Sequence, residues 1–163
     1  GLAFFIVLLA LPLLRQSVQA SRTLAGAETR TLTREWVLSE IPKDSKILME
    51  IYTPIFPKEA FQFYFVDDDG SLVRFDPEQS YKTYFKSPGH IGDLADGAAI
   101  KTEGIQYFIM SHMYQRYKSD DDSSQMVEVY ENLMENAGLI YQAKPRSGSI
   151  AGPQISVYEI YAP

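Results

Sequence analysis

Residues 28–52 read Glu28-Thr29-Arg30-Thr31-Leu32-Thr33-Arg34-Glu35-Trp36-Val37-Leu38-Ser39-Glu40-Ile41-Pro42-Lys43-Asp44-Ser45-Lys46-Ile47-Leu48-Met49-Glu50-Ile51-Tyr52, and they hold a helix, a stop and a strand in succession. Leu32, Trp36, Val37 and Ile41 recur at helical spacing, while Arg30, Arg34, Glu35 and Glu40 fall elsewhere, which predicts an amphipathic helix over 28–41. Pro42 ends it, because the residue before a proline avoids the helical region. Lys43-Asp44-Ser45 is a polar turn, and 46–52 is a short apolar run bounded by turn signals, the pattern of a buried strand. Thr53 to Pro57, with two prolines, is a loop at the carboxyl end of that strand.

Downstream the same alternation continues. Phe61, Phe63 and Phe65 alternate ahead of Asp67-Asp68-Asp69-Gly70, and 71–75 follows, so a hairpin is expected. The span 56–104 is otherwise expected to be an irregular insertion with one short helix. A second strand is expected over 105–110 and a helix over 123–136, with Ser123 or Asp122 as its N-cap. That helix has Met126, Val129, Tyr130, Leu133 and Ala137 on its apolar face and Gly138 as its C-terminal cap. Strands at 139–143 and 155–161, with Pro145 and Ser147-Gly148-Ser149 between them, close the chain as an antiparallel hairpin. The fold class is α/β: a small, largely parallel sheet with flanking helices and a closing antiparallel hairpin.

Ahead of the helix lies an apolar run, Gly1 to Leu14, with no charge before Arg15. A bilayer span needs roughly 20 apolar helical residues. The run is therefore read as the end of a transmembrane helix, with 1–20 as helix end and juxtamembrane segment and 21–163 as a soluble α/β domain. The alternative is a signal peptide, for which Val18-Gln19-Ala20 before Ser21 supplies a cleavage-site pattern. The chain would then be a small exported or membrane-anchored binding or structural domain. Arg15, Arg22, Arg30 and Arg34 taken alone would put this side in the cytoplasm.

Of the 163 residues, 45% are hydrophobic and 13% aromatic, enough to build one core. A net charge of −6 disfavours nucleic acid as a partner, since phosphate neutralisation needs clustered Lys and Arg. With no Cys there is no disulfide, thiolate nucleophile or Cys-based zinc site. His90 and His112 are too few and too far apart for a zinc signature. Asp67 to Gly70 invites a calcium loop closing at Glu78, but Ser71 and Pro77 break the pattern, and a solvated turn is the better reading. No G-x-S-x-G, Walker or dinucleotide glycine pattern occurs, so no cofactor or catalytic constellation is expected. Ser111 and His112, adjacent on an extended segment, point to opposite faces and make a poor nucleophile and base. Glu50 within a buried strand must find a partner or shift its pKa, and a structural ion pair is its simplest fate.

The segment Glu28 to Leu32 through Trp36-Val37 to Glu40-Ile41-Pro42 resembles a junction in the protein-mannosyltransferase-like (GT-C class) multi-spanning membrane glycosyltransferases, which use polyprenyl-phosphate sugars. Similar to that class are also Glu50, Tyr52 and Pro54 at the end of the first strand, and Ser111, Tyr114, Arg116 and Tyr117 after the second. The closing Gly152-Pro153 before alternating Ile, Val and Tyr up to Tyr161 extends the likeness. The resemblance implies that the catalytic acids lie upstream of this chain. It also implies an extracytoplasmic accessory domain near the acceptor, reached by the sugar donor only through the membrane part. Glu50, Tyr52, Ser111, Tyr114 and Arg116 are then acceptor-side or structural polar candidates.

Overall fold

The structure, a computed structural model, describes residues 27–57, 59–75 and 89–161. The expected membrane-helix end at 1–20 and the whole 76–88 stretch, Glu78 included, lie outside the described residues. Among the described residues no helix is long and apolar enough to cross a membrane.

The elements run β1 (Ala27–Glu28), α1 (Thr29–Glu40), β2 (Lys46–Met49), β3 (Gln62–Val66), β4 (Leu72–Arg74), a 3-10 turn (Ile91–Asp93), α2 (Ala98–Glu103), β5 (Tyr107–Met110) and α3 (Met113–Lys118). A second 3-10 turn (Asp121–Ser123), α4 (Ser124–Glu135), β6 (Ala137–Ala143), β7 (Ile150–Ala151) and β8 (Ile155–Ile160) complete them. The main sheet has the order β4-β3-β2-β5-β8-β6. β2 lies parallel to β3 and β5, and antiparallel strands flank this parallel centre on both sides. β6 and β8 form the closing antiparallel pair that the sequence predicts, and β1 and β7 make a separate two-stranded parallel patch.

β2 is buried on both faces, as a continuous apolar run in a parallel sheet must be. Ile47 and Met49 face α1 in a cluster with Val37, Phe63, Ile109 and Val157. Leu48 faces the other way, with Phe108, Ile91 and Tyr130. Glu50, two residues after Leu48, is carried to that second face by the period of the strand.

The 56–104 span contains the expected hairpin, as the antiparallel pair β3–β4, and the expected short helix, as α2, and its residues Ile91, Leu94 and Ile100 lie in the core. Several local expectations are corrected. The buried line of α1 is Thr29, Thr33 and Val37, continued by Ile41, while Leu32 and Trp36 are half-buried on its flank. A threonine fits this interior because Thr33 Oγ1 donates to the Thr29 carbonyl at 2.8 Å, which satisfies its hydroxyl within the helix. Trp36 stacks on Tyr141 with ring centroids 4.6 Å apart.

Gly138 does not cap α4. It sits in β6 opposite Glu159, where its bare Cα lets the Tyr161 ring approach. Neither Ser123 nor Asp122 caps α4 with its side chain: Asp120 accepts from the Asp122 N–H and the Ser123 hydroxyl instead.

The hairpin turn at Asp67–Gly70 is a solvated turn stabilised from within, since the Gly70 N–H donates to Asp67 O at 2.9 Å. Gly70 has φ +80°, and a Cβ there would stand 2.6 Å from Asp93 O. Ala95 N–H donates to Gly70 O at 2.9 Å, which docks the segment after the first 3-10 turn onto the hairpin. Gly70→Ala therefore combines a left-handed backbone penalty with a steric clash. Urea denaturation should show a loss of about 2 kcal/mol, and a change below about 0.5 kcal/mol would contradict the docking.

Candidate functional site

The carboxyl ends of β2 and β5 bring the two sequence motifs together. Glu50 follows β2, Ser111 follows β5, and Met49 pairs with Ile109, so the two residues sit side by side at one end of the sheet. This is also a topological switch point: the chain leaves β2 to build β3 on one side and returns to build β5 on the other. Ligands of open α/β sheets collect at such places.

Glu50 is 1% exposed. Its Oε2 accepts from the Ser111 N–H at 2.8 Å and from the Ser111 hydroxyl at 2.7 Å, and its Oε1 accepts from the Tyr130 hydroxyl of α4. The expected ion pair is replaced by neutral donors. Among the described residues the ion pairs are Arg30–Glu28 and Lys118–Glu131, and neither touches Glu50. Three hydrogen bonds satisfy a buried carboxylate without the desolvation of a second charge. Burial and the negative charge of Glu50 push the Tyr130 hydroxyl far above the ordinary tyrosine range. Tyr117, packed 6.2 Å from the Tyr130 ring, is pushed up to about 12 by burial, then by Asp93 and Glu50.

The remaining candidates divide around this network. Ser111 to Tyr117 overlaps α3, a six-residue helix too short to display a period in the sequence. Tyr114 packs beside Tyr130 at 5.7 Å, and its hydroxyl donates to Glu131 at 3.1 Å while accepting from Lys118 Nζ at 3.0 Å. Arg116 is exposed on the outer side of α3. Tyr52 is 46% exposed and has φ +68°, a conformation costly for a residue with a side chain. Its backbone is tied down nearby: Arg30 Nε donates to Tyr52 O at 3.1 Å, and Thr53 Oγ1 donates to Glu50 O at 2.5 Å.

Above the network lies an open cleft of about 630 Å³, lined by Arg30, Tyr52, His112, Gln115, Gln154 and two prolines. The Tyr52 and His112 rings stand 5.5 Å apart at its wall. His112 Nδ1 is buried with no hydrogen-bond partner, as is Thr29 Oγ1, which lies against Gly152 at the rim. Arg30, His112, Gln115 and Gln154 come from α1, the residue before α3, α3 itself and the loop before β8, so no spacing in the sequence links them. A second cleft of about 660 Å³, bordered by Lys101, Tyr107 and Glu159, lies at the amino ends of the parallel strands. Among the described residues no group of three or more His, Asp or Glu could hold a metal ion.

The arrangement does not make Ser111 a nucleophile. Its hydroxyl donates to a carboxylate already saturated by other donors, and His112 points into the cleft instead of toward Ser111 Oγ. Compared with known proteins, the chain matches no protein-family model, no curated protein and no solved structure.

Glu50→Ala leaves the Ser111 N–H and the Ser111 and Tyr130 hydroxyls unpaired in the interior, so chemical denaturation should register a loss of about 3–5 kcal/mol. A loss under about 1 kcal/mol would mean that the network is not structural. Tyr117 and Tyr130 are also held neutral by the fold, so their folded pKa values lie above those of the unfolded chain. Stability from them is complete below about pH 10 and lost as pH climbs through 12 and beyond. Circular dichroism melts should be flat on the alkaline side up to about pH 10 and fall steeply above it, with phenolate absorbance appearing together with unfolding.

Proposed function

We propose that this chain is the C-terminal accessory domain of a membrane glycosyltransferase that transfers a sugar from a polyprenyl-phosphate donor. The domain contributes no catalytic group. What supports this reading is the convergence of the Glu50–Pro54 and Ser111–Tyr117 segments through the Glu50–Ser111 hydrogen bonds. Two stretches 61 residues apart that carry the resemblance meet at one end of the sheet, around an open cleft. The non-catalytic part is supported by the engagement of both Glu50 oxygens with internal donors, Glu50 being the one fully buried carboxylate among the described residues.

The domain entry lies at the same end. Glu28 pairs with Ala151 next to Gly152, and Arg30 reaches the Tyr52 carbonyl. In this reading the apolar run Gly1 to Leu14 ends a membrane helix, the domain lies outside the cytoplasm, and the cleft faces the membrane part where sugar is transferred.

Antibodies against residues 28–52 applied to native cell fractions test the reading. The recognised polypeptide should be far larger than 18.5 kDa, should stay with membranes through an alkaline carbonate wash, and its depletion should remove polyprenyl-phosphate-dependent sugar transfer. A soluble polypeptide beginning at Ser21 would overturn it in favour of an exported binding domain.

A further inference from the structure

We propose that the cleft at the carboxyl ends of β2 and β5 binds a neutral sugar unit, with the exposed Tyr52 ring as its platform. As an acceptor-side site this rests on the glycosyltransferase reading, whereas sugar binding itself can be measured independently.

Tyr52 carries the inference. A tyrosine at φ +68° is held in a region that glycine adopts more easily, yet 46% of the residue is exposed and its ring lines an open cleft. The ring is therefore not retained there to fill the core. Strained backbone that presents a side chain to a concave surface is the signature of a positioned contact group. The face of an aromatic ring matches the C–H face of a pyranose, and its apolar area is buried with little loss of side-chain freedom.

Charge selects among ligands. Among the described residues, Arg30 is the one cation lining the cleft and no carboxylate lines it; Arg30 is already paired with Glu28 at 2.7 Å and donates to the Tyr52 carbonyl. A phosphate or carboxylate ligand would need an uncommitted cation, as anion sites do. The other polar groups are the amides of Gln115 and Gln154, each able to donate and to accept, which suits vicinal hydroxyls. His112 adds an imidazole ring to the lining, and its buried Nδ1 has no hydrogen-bond partner in the protein. The volume of about 630 Å³ lies within the ~300–1,000 Å³ range of small-molecule sites.

Saturation-transfer NMR on the full chain in a sugar-free detergent tests the site, using a panel of neutral hexose disaccharides with inorganic phosphate and a hexose 6-phosphate as the anionic arm. At least one neutral disaccharide should receive saturation from the protein. Tyr52→Ala and Tyr52→Gly should weaken its binding at least tenfold, and Tyr52→Phe, which keeps the ring, should stay within about threefold. The glycine variant relieves the backbone strain, so its loss of binding cannot be assigned to unfolding. Gln154→Ala should weaken binding severalfold, and Glu159→Gln at the opposite end of the sheet should change nothing.

Silence across the neutral panel, indifference to Tyr52→Ala, or tighter binding of the anionic probes would each overturn the proposal. A disaccharide-binding chain that isolates as a small soluble polypeptide keeps this site and removes the transferase reading. A large membrane polypeptide whose domain ignores every sugar does the reverse.

Discussion

The Glu50 carboxylate is the point at which three elements of this domain are pinned to one another. It follows β2, accepts from the backbone and side chain of the residue after β5, and accepts from the Tyr130 hydroxyl of α4. A charge taken out of water must be surrounded by donors, so each of those elements has one permitted position relative to it. Ordinary apolar packing tolerates small slips between a helix and a sheet, whereas a carboxylate with three directed hydrogen bonds does not. The cleft above it, built from residues beside Glu50, Ser111 and the entry to α1, inherits that precision.

Much of the architecture was readable because its elements obey simple periods. The helix over 29–40, its termination before Pro42, the doubly buried β2 and the closing pair β6–β8 follow from spacing, proline chemistry and turn residues. The corrections have physical reasons too. Thr29 and Thr33 count as polar in a binary pattern, yet α1 turns them inward, and Thr33 finds its partner in the helix backbone. Gly138 carried the usual mark of a helix end, but a glycine also suits a strand that must let an aromatic ring lie against it. Within 56–104 the hairpin β3–β4 was readable from its turn, while the sheet order that makes β3 a neighbour of β2 is a tertiary fact.

The site was legible by half. Glu50 stands out as a carboxylate within an apolar strand, whereas Tyr52 and Ser111 became candidates only through the family resemblance. Tyr130 was recognised only as a member of an apolar helix face, and its hydroxyl escaped notice. A tyrosine amid aliphatic neighbours, in a chain that also buries a glutamate, was the available signal. Arg30, Gln115 and Gln154 had none, and His112 offered only a lone histidine, since only the sheet brings α1, the start of α3 and the loop before β8 to one place.

The parallel centre of the sheet also constrains the order of assembly. Ser111 lies 61 residues, and Tyr130 80 residues, along the chain from Glu50. As the polypeptide emerges during synthesis, β2 has an unpaired edge and a carboxylate without donors until β5 and then α4 have been made. Closing loops of that length costs entropy before any contact returns it, which slows folding and leaves apolar strand edges open to other chains. A polar side chain at the end of an apolar strand is a poorer partner for intermolecular pairing than an apolar one, so the residue that locks the finished domain also bears on the unfinished one.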